Sequence, residues 1–303
     1  MAKITGPSRR PEPALRIDLH THSTASDGTD PPAVLVGLAA AAGLDVLALT
    51  DHETLAGVAD ATAALPPGMT LVAGAEISCA VIDPEGRRTS LHLLAYLFDA
   101  AEPAFAAERD RLISDREHRA RGIVDALRGL GVEVTWEQLS RIAGGAPVGR
   151  PHVASALVEL GVVDDVPSAF GPQWLGVGGR AHVRKHATDP VTAVRLVRTA
   201  GGVPVLAHPA AGGRGRVATD ELIATLAQAG LAGLEADHPD HDSSDRARLR
   251  ALAGELGLLV TGSSDYHGSR KPRIGLGQHT TAPEVYQAIV DGATGARPVT
   301  VPP

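Results

Sequence analysis

The sequence predicts an α/β protein in which seven buried strands alternate with helices, an order that points to a parallel sheet closing into a barrel. Three observations carry this. Seven short apolar runs are bounded by Gly, Pro, Asp or His. Most are followed by a segment of helical periodicity, and strands joined through helices run parallel and are covered on both faces. With 303 residues, of which 44% are hydrophobic and 21% charged, the chain can bury one large barrel with an insertion, or two domains. An open, doubly wound sheet shares the same periodicity.

The predicted strands are, in order, Leu15–Leu19, Val46–Leu49, Thr70–Ile77, Leu91–Phe98, Val203–Ala207, Ala232–Ala236 and Leu258–Gly262. The first helix, Pro31–Ala42, has Asp30 as its cap, proline in its first turn and Gly43 at its end. Further helices are predicted at Thr54–Ala64, Asp189–Ala200, Thr219–Ala229, Ser243–Leu256 and Ala282–Asp291. About 100 residues separate strands four and five, far more than a crossover needs. There Glu102–Leu130 reads as one long helix, Thr135–Ala143 and Arg150–Leu160 as shorter ones, and GPQWLGVGG as a glycine-rich loop. The expected division is a barrel of residues 1–100 and 188–303 with a helical insertion, 101–187. The first dozen residues and the terminal VPP are expected to be loose.

Composition excludes several classes. A net charge of −7 argues against coating duplex DNA, while leaving room for a small phosphorylated substrate met by a local basic or metal patch. The single Cys79 rules out an internal disulfide and a thiolate metal cluster. No signal peptide and no uncharged apolar run of membrane-spanning length is visible, so a cytoplasmic protein that does not enter membranes is expected. The oligomeric state is not legible. Histidine is the unusual feature: thirteen are present, against three lysines, Lys3, Lys185 and Lys271.

The histidines and carboxylates fall at strand ends. Strand one runs into His20 and His22, with Asp27 close behind; strand two runs into His52; strand three ends at Glu76. His92 lies early in strand four, His208 follows strand five, and Asp265 and His267 follow strand seven. In a parallel barrel the carboxyl ends of the strands share one face, so these nine residues converge on one mouth. The HxH pair presents both rings on one side because side chains alternate with period two. Three carboxylates and six imidazoles together suit divalent Zn, Fe or Mn, and nine ligands exceed what one ion accepts. Two or three ions bridged by a carboxylate is the economical count. Glu76 is the expected bridge, as the carboxylate placed opposite the HxH pair. A lysine bridge of the kind found in metal amidohydrolases is excluded, because no lysine lies between Lys3 and Lys185; a glutamate-bridged variant is left.

The segments DLHTHSTASDG, LALTDHETLAG, GAEIS, LHLLAYLFD, VLAHP and GSSDYHG resemble, in order from residue 17 to 268, the successive motifs of the PHP (polymerase and histidinol phosphatase) superfamily. The resemblance implies a distorted seven-stranded (β/α) barrel holding a trinuclear site. It implies one ion held by His20, His22, Glu76 and Asp265, a second by Glu76, His92 and His208, and a third by Asp27, His52 and His267. Asp27, whose carboxylate is the harder ligand, stands where some members have histidine and favours Mn2+ or Fe2+ over Zn2+. Within the insertion, REHRARGI and GRPHVA resemble the helical cap of a subfamily of nucleoside 3′,5′-bisphosphate phosphatases and 5′→3′ exoribonucleases acting on short RNA.

Arg116 and Arg119 share a helix face and, with Arg150, are the expected substrate contacts, since a guanidinium grips phosphate bidentately. Asp27, His52, His267 and Glu76 are the expected catalytic residues, and Asp51 is a candidate for fixing an imidazole tautomer. His238 and His241 face the same mouth, where they could brace a metal ligand, touch substrate or serve the structure alone. GGRGR at Gly212–Arg216 is a loop beside the mouth. The resulting expectation is a metal-dependent phosphoesterase, Mn2+ first, acting on a phosphorylated small molecule or short RNA. A histidinol-phosphate phosphatase and a non-catalytic module of the same superfamily are the alternatives.

Overall fold

The computed structural model describes residues 14–82, 86, 88–184, 186–211 and 218–302. The Gly212–Arg216 loop and the first dozen residues lie outside the described residues. Seven strands form one sheet in chain order: β1 (Ile17–Thr21), β2 (Val46–Leu49), β3 (Thr70–Ile82), β4 (Arg88–Tyr96), β5 (Val203–Ala207), β6 (Gly233–Asp237) and β7 (Leu259–Gly262). A bridge between Thr21 and Tyr266, with His22 N donating to Tyr266 O at 2.9 Å, ties the end of β1 to the segment after β7 and nearly closes the barrel.

The sheet is mixed, not parallel throughout. β1, β2 and β3 are parallel, as are β5, β6 and β7, but β4 runs antiparallel to both of its neighbours. The reason is local. Only the stretch from 83 to 87, DPEGR, joins β3 to β4, and a return that short allows a hairpin but no parallel crossover. Gly74 permits close pairing there: a Cβ would fall 2.8 Å from Ala95 O.

Both faces of the sheet are buried. Ile17, Leu19, Val46, Ala48, Leu94, Tyr96, Val203 and Val205 share one core cluster, whereas Leu47, Leu49 and Leu71, and separately Ile77, Leu93 and Leu206, join others under the helices. These alternations are the period-two pattern of strands covered on two sides. The helices α1 (Pro32–Ala41), α2 (Val58–Ala63), α7 (Pro190–Thr199), α8 (Asp220–Gln228), α9 (Ser243–Leu256) and α10 (Pro283–Gly292) follow the predicted positions. α2 is shorter than expected because Thr54–Gly57 is not helical and ends in a turn at Ala56 and Gly57. Asp30 does not cap α1; it accepts a hydrogen bond from Tyr266 Oη at 2.9 Å. Nor is the carboxyl terminus wholly loose. β8 (Val299–Thr300) pairs with β3, and Val301 exchanges backbone bonds with Gly68 and Met69.

Between β4 and β5 lie α3 (Pro103–Gly129), α4 (Trp136–Ala143), α5 (Arg150–Glu159) and α6 (Val166–Ala169). Side chains of Glu102, Thr135 and Asp165 accept from the first-turn amides of α3, α4 and α6. Phe105 and Leu112 at the start of α3 join the barrel's core, while Ile123 and Leu127 near its end join a separate core with Leu139, Val153 and Leu157. The long helix therefore ties the insertion to the barrel.

Candidate metal centre

The nine predicted residues come together. On β1, His20 Nε2 and His22 Nε2 are 3.1 Å apart. Both approach Glu76 Oε2, at 3.4 and 3.1 Å, and Asp265 Oδ1, at 3.5 and 3.4 Å. Glu76 Oε1 turns the other way, to His208 Nε2 at 3.0 Å and His92 Nδ1 at 2.5 Å. Asp27 gathers a third set: its Oδ1 lies 3.7 Å from His22 Nδ1 and 3.5 Å from His267 Nε2, and its Oδ2 lies 3.5 Å from His52 Nε2. Three groups of donors fit for an ion thus form: His20, His22 and Asp265; His20, Glu76 and His208; and His22, Asp27, His52 and His267.

β3 lies two strands from β1 rather than across the barrel, so the reason expected for Glu76 as a bridge does not hold. Its place between the groups comes from the separate directions of its two oxygens. His92 joins through the reversal of β4. It pairs with Ala207 at the carboxyl end of β5 and with Ser78, two residues past Glu76 on β3, although it sits mid-strand. Backbone irregularities concentrate here. The register of β1 against β2 shifts between Asp18 and Thr21, and Glu53, His208 and Asp265 adopt positive φ of 60°, 29° and 53°. Gly28 folds the loop that carries Asp27 tightly back, for a Cβ would lie 2.5 Å from His22 O.

The donor set fits divalent cations. Two ligands held ~2.1 Å from one tetrahedral ion stand about 3.4 Å apart, close to the separations above. His52 Nδ1 is buried 3.2 Å from Glu76 Oε2 yet completes no hydrogen bond among the described residues. Burial opposes ionisation of Glu76 and Asp27, but the facing imidazoles hold both carboxyls well below the usual range. Burial also pushes His52 down to about 3 and His267 well below its ordinary value, so both rings keep lone pairs free of protons.

Around these residues stands a ring that the strand-end pattern did not reveal. Glu235, on β6, reaches His20 Nδ1 at 3.2 Å and accepts from His208 N at 2.8 Å. A lone carboxylate inside the apolar run of β6 was the available signal. Asp51 does not brace an imidazole. Its oxygens accept from Ser23 N at 2.8 Å, Ser23 Oγ at 2.6 Å and Ser26 Oγ at 2.5 Å, which holds the turn after β1. His238 meets Asp265 Oδ2 at 3.3 Å, and Lys271 Nζ donates to the same oxygen at 2.5 Å. His241 bonds Ala236 O and accepts from Ala210 N, a backbone-bracing role.

The insertion brings arginines to the rim. Arg116 Nη2 lies 2.5 Å from Glu53 Oε2, and its guanidinium also feels Asp27 and Glu76. Arg119 Nε donates to Val183 O at 2.7 Å, and Arg150 lies over the Phe170 ring at 5.3 Å; both are within electrostatic reach of Arg116's neighbourhood rather than against the metal donors. Arg270, missed in the sequence, is half-buried with Asp27 as its attracting charge, and its Nη1 has no hydrogen-bond partner among the described residues. No described helix is long and apolar enough to cross a membrane.

Comparison with known proteins agrees with this geometry. A family model for the PHP domain matches residues 18–116. The chain is 35% identical over 253 residues to a 5′-3′ exoribonuclease of Haemophilus influenzae, spanning 83% of this chain and 90% of that protein. It is 31% identical over 275 residues to a 3′,5′-nucleoside bisphosphate phosphatase of Chromobacterium violaceum, spanning 90% and 94%. A solved structure of a candidate metal-dependent phosphoesterase from Bifidobacterium adolescentis superimposes with a TM-score of 0.85 at 32% identity, covering 93% of this chain and 98% of the other. With relatives this similar over nearly their whole length, the chain belongs to the PHP-domain metal-dependent phosphoesterases.

Proposed function

We propose that this enzyme hydrolyses phosphate esters of nucleotides, either nucleoside 3′,5′-bisphosphates or the 5′ end of short RNA, at a site for three divalent ions, Mn2+ first. One observation carries the reading: the two oxygens of Glu76 face two different imidazole groups, so a single carboxylate can serve two ions while Asp27 collects a third set. The ligand sets are His20, His22, Glu76 and Asp265; Glu76, His92 and His208; and Asp27, His52 and His267. The names of the relatives supply the nucleotide substrate class.

Divalent cations bound there supply a water acidic enough to attack near neutral pH and neutralise charge on the phosphoryl oxygens. The protein's residues do the rest. Glu76 fixes the relative position of the two imidazole groups. Asp27, His52 and His267 orient the departing oxygen, which takes its proton from solvent; His267 Nδ1 bonds Asp265 O at 2.8 Å, which leaves Nε2 directed at Asp27. Arg116, Arg119 and Arg150 grip phosphate from the cap, residues 101–187, and exclude water as substrate enters.

The test is turnover of adenosine 3′,5′-bisphosphate and histidinol phosphate by the Mn2+-loaded protein. Faster turnover of the nucleotide is expected. Preference for histidinol phosphate overturns the substrate assignment, and less than one bound ion per chain with no turnover of either overturns the catalytic reading.

A further inference from the structure

Beyond Arg116 a second cationic surface is built where the insertion meets the β3–β4 hairpin. Arg88 opens β4, and its Nη2 is buried with no hydrogen-bond partner among the described residues. The described residues between 183 and 188 pass between that hairpin and α3. Thr188 exchanges backbone bonds with Ser78 and Ala80 at 3.1 and 3.0 Å, His186 N donates to Asp115 Oδ2 at 2.7 Å, and Val183 O accepts from Arg119. This path sets half-buried His182 and exposed Arg184 beside Arg119.

The charges are crowded, and cations outnumber the one acid that faces them, Asp115. Burial, then Arg150, Arg116 and Arg88, push the Arg119 guanidinium down to about 9. His182 is lowered by burial and then by Arg119, Arg150, Arg184 and Arg88. Asp115 is the acid that faces Arg88 and Arg119, and one of its oxygens already accepts from His186 N. Cations held together this way repel unless an anion lies among them, and planar guanidinium forks match phosphate oxygens. Arg116, which contacts Glu53 and feels Asp27, belongs to the metal donors' side of the rim. Arg119 is one turn further along α3, about 5–6 Å away at Cβ. Two neighbouring cationic positions result, one turn apart on α3.

We infer that Arg88, Arg119 and Arg184, with His182, form a second anion subsite that takes a backbone phosphate of an oligoribonucleotide, adjacent to the phosphate that is cleaved. The inference rests on the nucleotide phosphoesterase reading and extends it toward RNA ends. Arg88, which opens β4 four residues before His92, and Arg184 are this subsite's own contribution.

The test is binding of a hydrolysis-resistant, 5′-phosphorylated RNA pentanucleotide, and separately of adenosine 5′-monophosphate, to the full Mn2+-loaded chain over a range of salt. Arg88→Ala combined with Arg184→Ala is expected to weaken the pentanucleotide about tenfold. The slope of log Kd against log salt should fall by about 0.7 for each phosphate that is no longer neutralised. The monophosphate should weaken by a clearly smaller factor. Arg121→Ala with Arg128→Ala, which removes two charges elsewhere on α3, is the comparison and should leave the ratio of the two ligands as in the parent. An unchanged pentanucleotide Kd and slope, or equal weakening of both ligands, overturns the subsite. Absence of turnover on every phosphoester, with arginine-dependent pentanucleotide binding intact, would instead sink the hydrolytic reading and leave the subsite standing.

Discussion

His92 stands with Nδ1 2.5 Å from Glu76 Oε1, and it does so because its strand runs against the strand that carries Glu76. Pairing of His92 with Ser78 places it two residues beyond Glu76 along β3, on the same face of the ladder. Had β4 been parallel to its neighbours, a histidine at mid-strand would lie away from the strand ends where most of the other donors gather.

Glu76 is the residue on which the ion count depends. Glu76→Gln keeps the shape of the side chain and removes its charge, so its amide no longer serves both imidazole groups. Bound metal, measured by elemental analysis after gel filtration, is expected to drop by at least one ion per chain. Turnover of the best nucleotide substrate should fall about a thousandfold, the scale of several kcal/mol of forfeited charge stabilisation. Full metal occupancy in this variant would show that Glu76 is not the bridge.

Glu235 fixes His20 from behind. Its carboxylate accepts at His20 Nδ1 and directs Nε2 toward His22, Glu76 and Asp265. Glu235→Gln should weaken metal binding about 10–100-fold, read by titration with Mn2+, with circular dichroism unchanged. The activity loss should be recovered in part at high metal concentration; loss that excess metal does not relieve would point to a role other than holding His20.

His152 makes stability depend on pH. Burial, then Arg270, push its ring down to about 4, and its Nδ1 accepts from Gly149 N at 3.0 Å, a bond the protonated ring cannot form. The unfolded chain takes up this proton near pH 6.5, the folded one near 4, so stability is lost as pH falls through that window. Urea unfolding of the parent and of His152→Gln measures this. Between pH 4 and 6.5 the slope of the free energy against pH should be shallower in the variant by up to about 1.4 kcal/mol per pH unit. Parallel slopes would place the titrating group elsewhere.

Much of this centre was legible because the chemistry follows the strand ends. His20 and His22 are two apart, His52 and His208 each close an apolar run, and Asp265 and His267 follow the last one; a period of two and a run of buried residues are properties of neighbours in the chain. The reversal at β4 was not read there: the expected strands, Thr70–Ile77 and Leu91–Phe98, left thirteen residues between them, and only their extension to Ile82 and back to Arg88 shortens the link to five, too few for a crossover. Its consequence for His92 was therefore hidden as well.

Residue order was enough to establish which side-chain types stand at the strand ends, that helices separate most of the strands, and that a long helical segment interrupts them after the fourth. Which of those ends meet emerged only in three dimensions. Glu76 turns one oxygen to His22 and the other to His208, Glu235 backs His20 from β6, and Asp51 braces Ser23 and Ser26 instead of a ring. Folding also set Arg270 beside Asp27 and tied the terminal Val301 to Met69. Periodicity reports which way a side chain leaves its own strand. The distance to a side chain on another strand depends on pairing direction, register and the closing of the barrel, which are settled when the whole sheet folds.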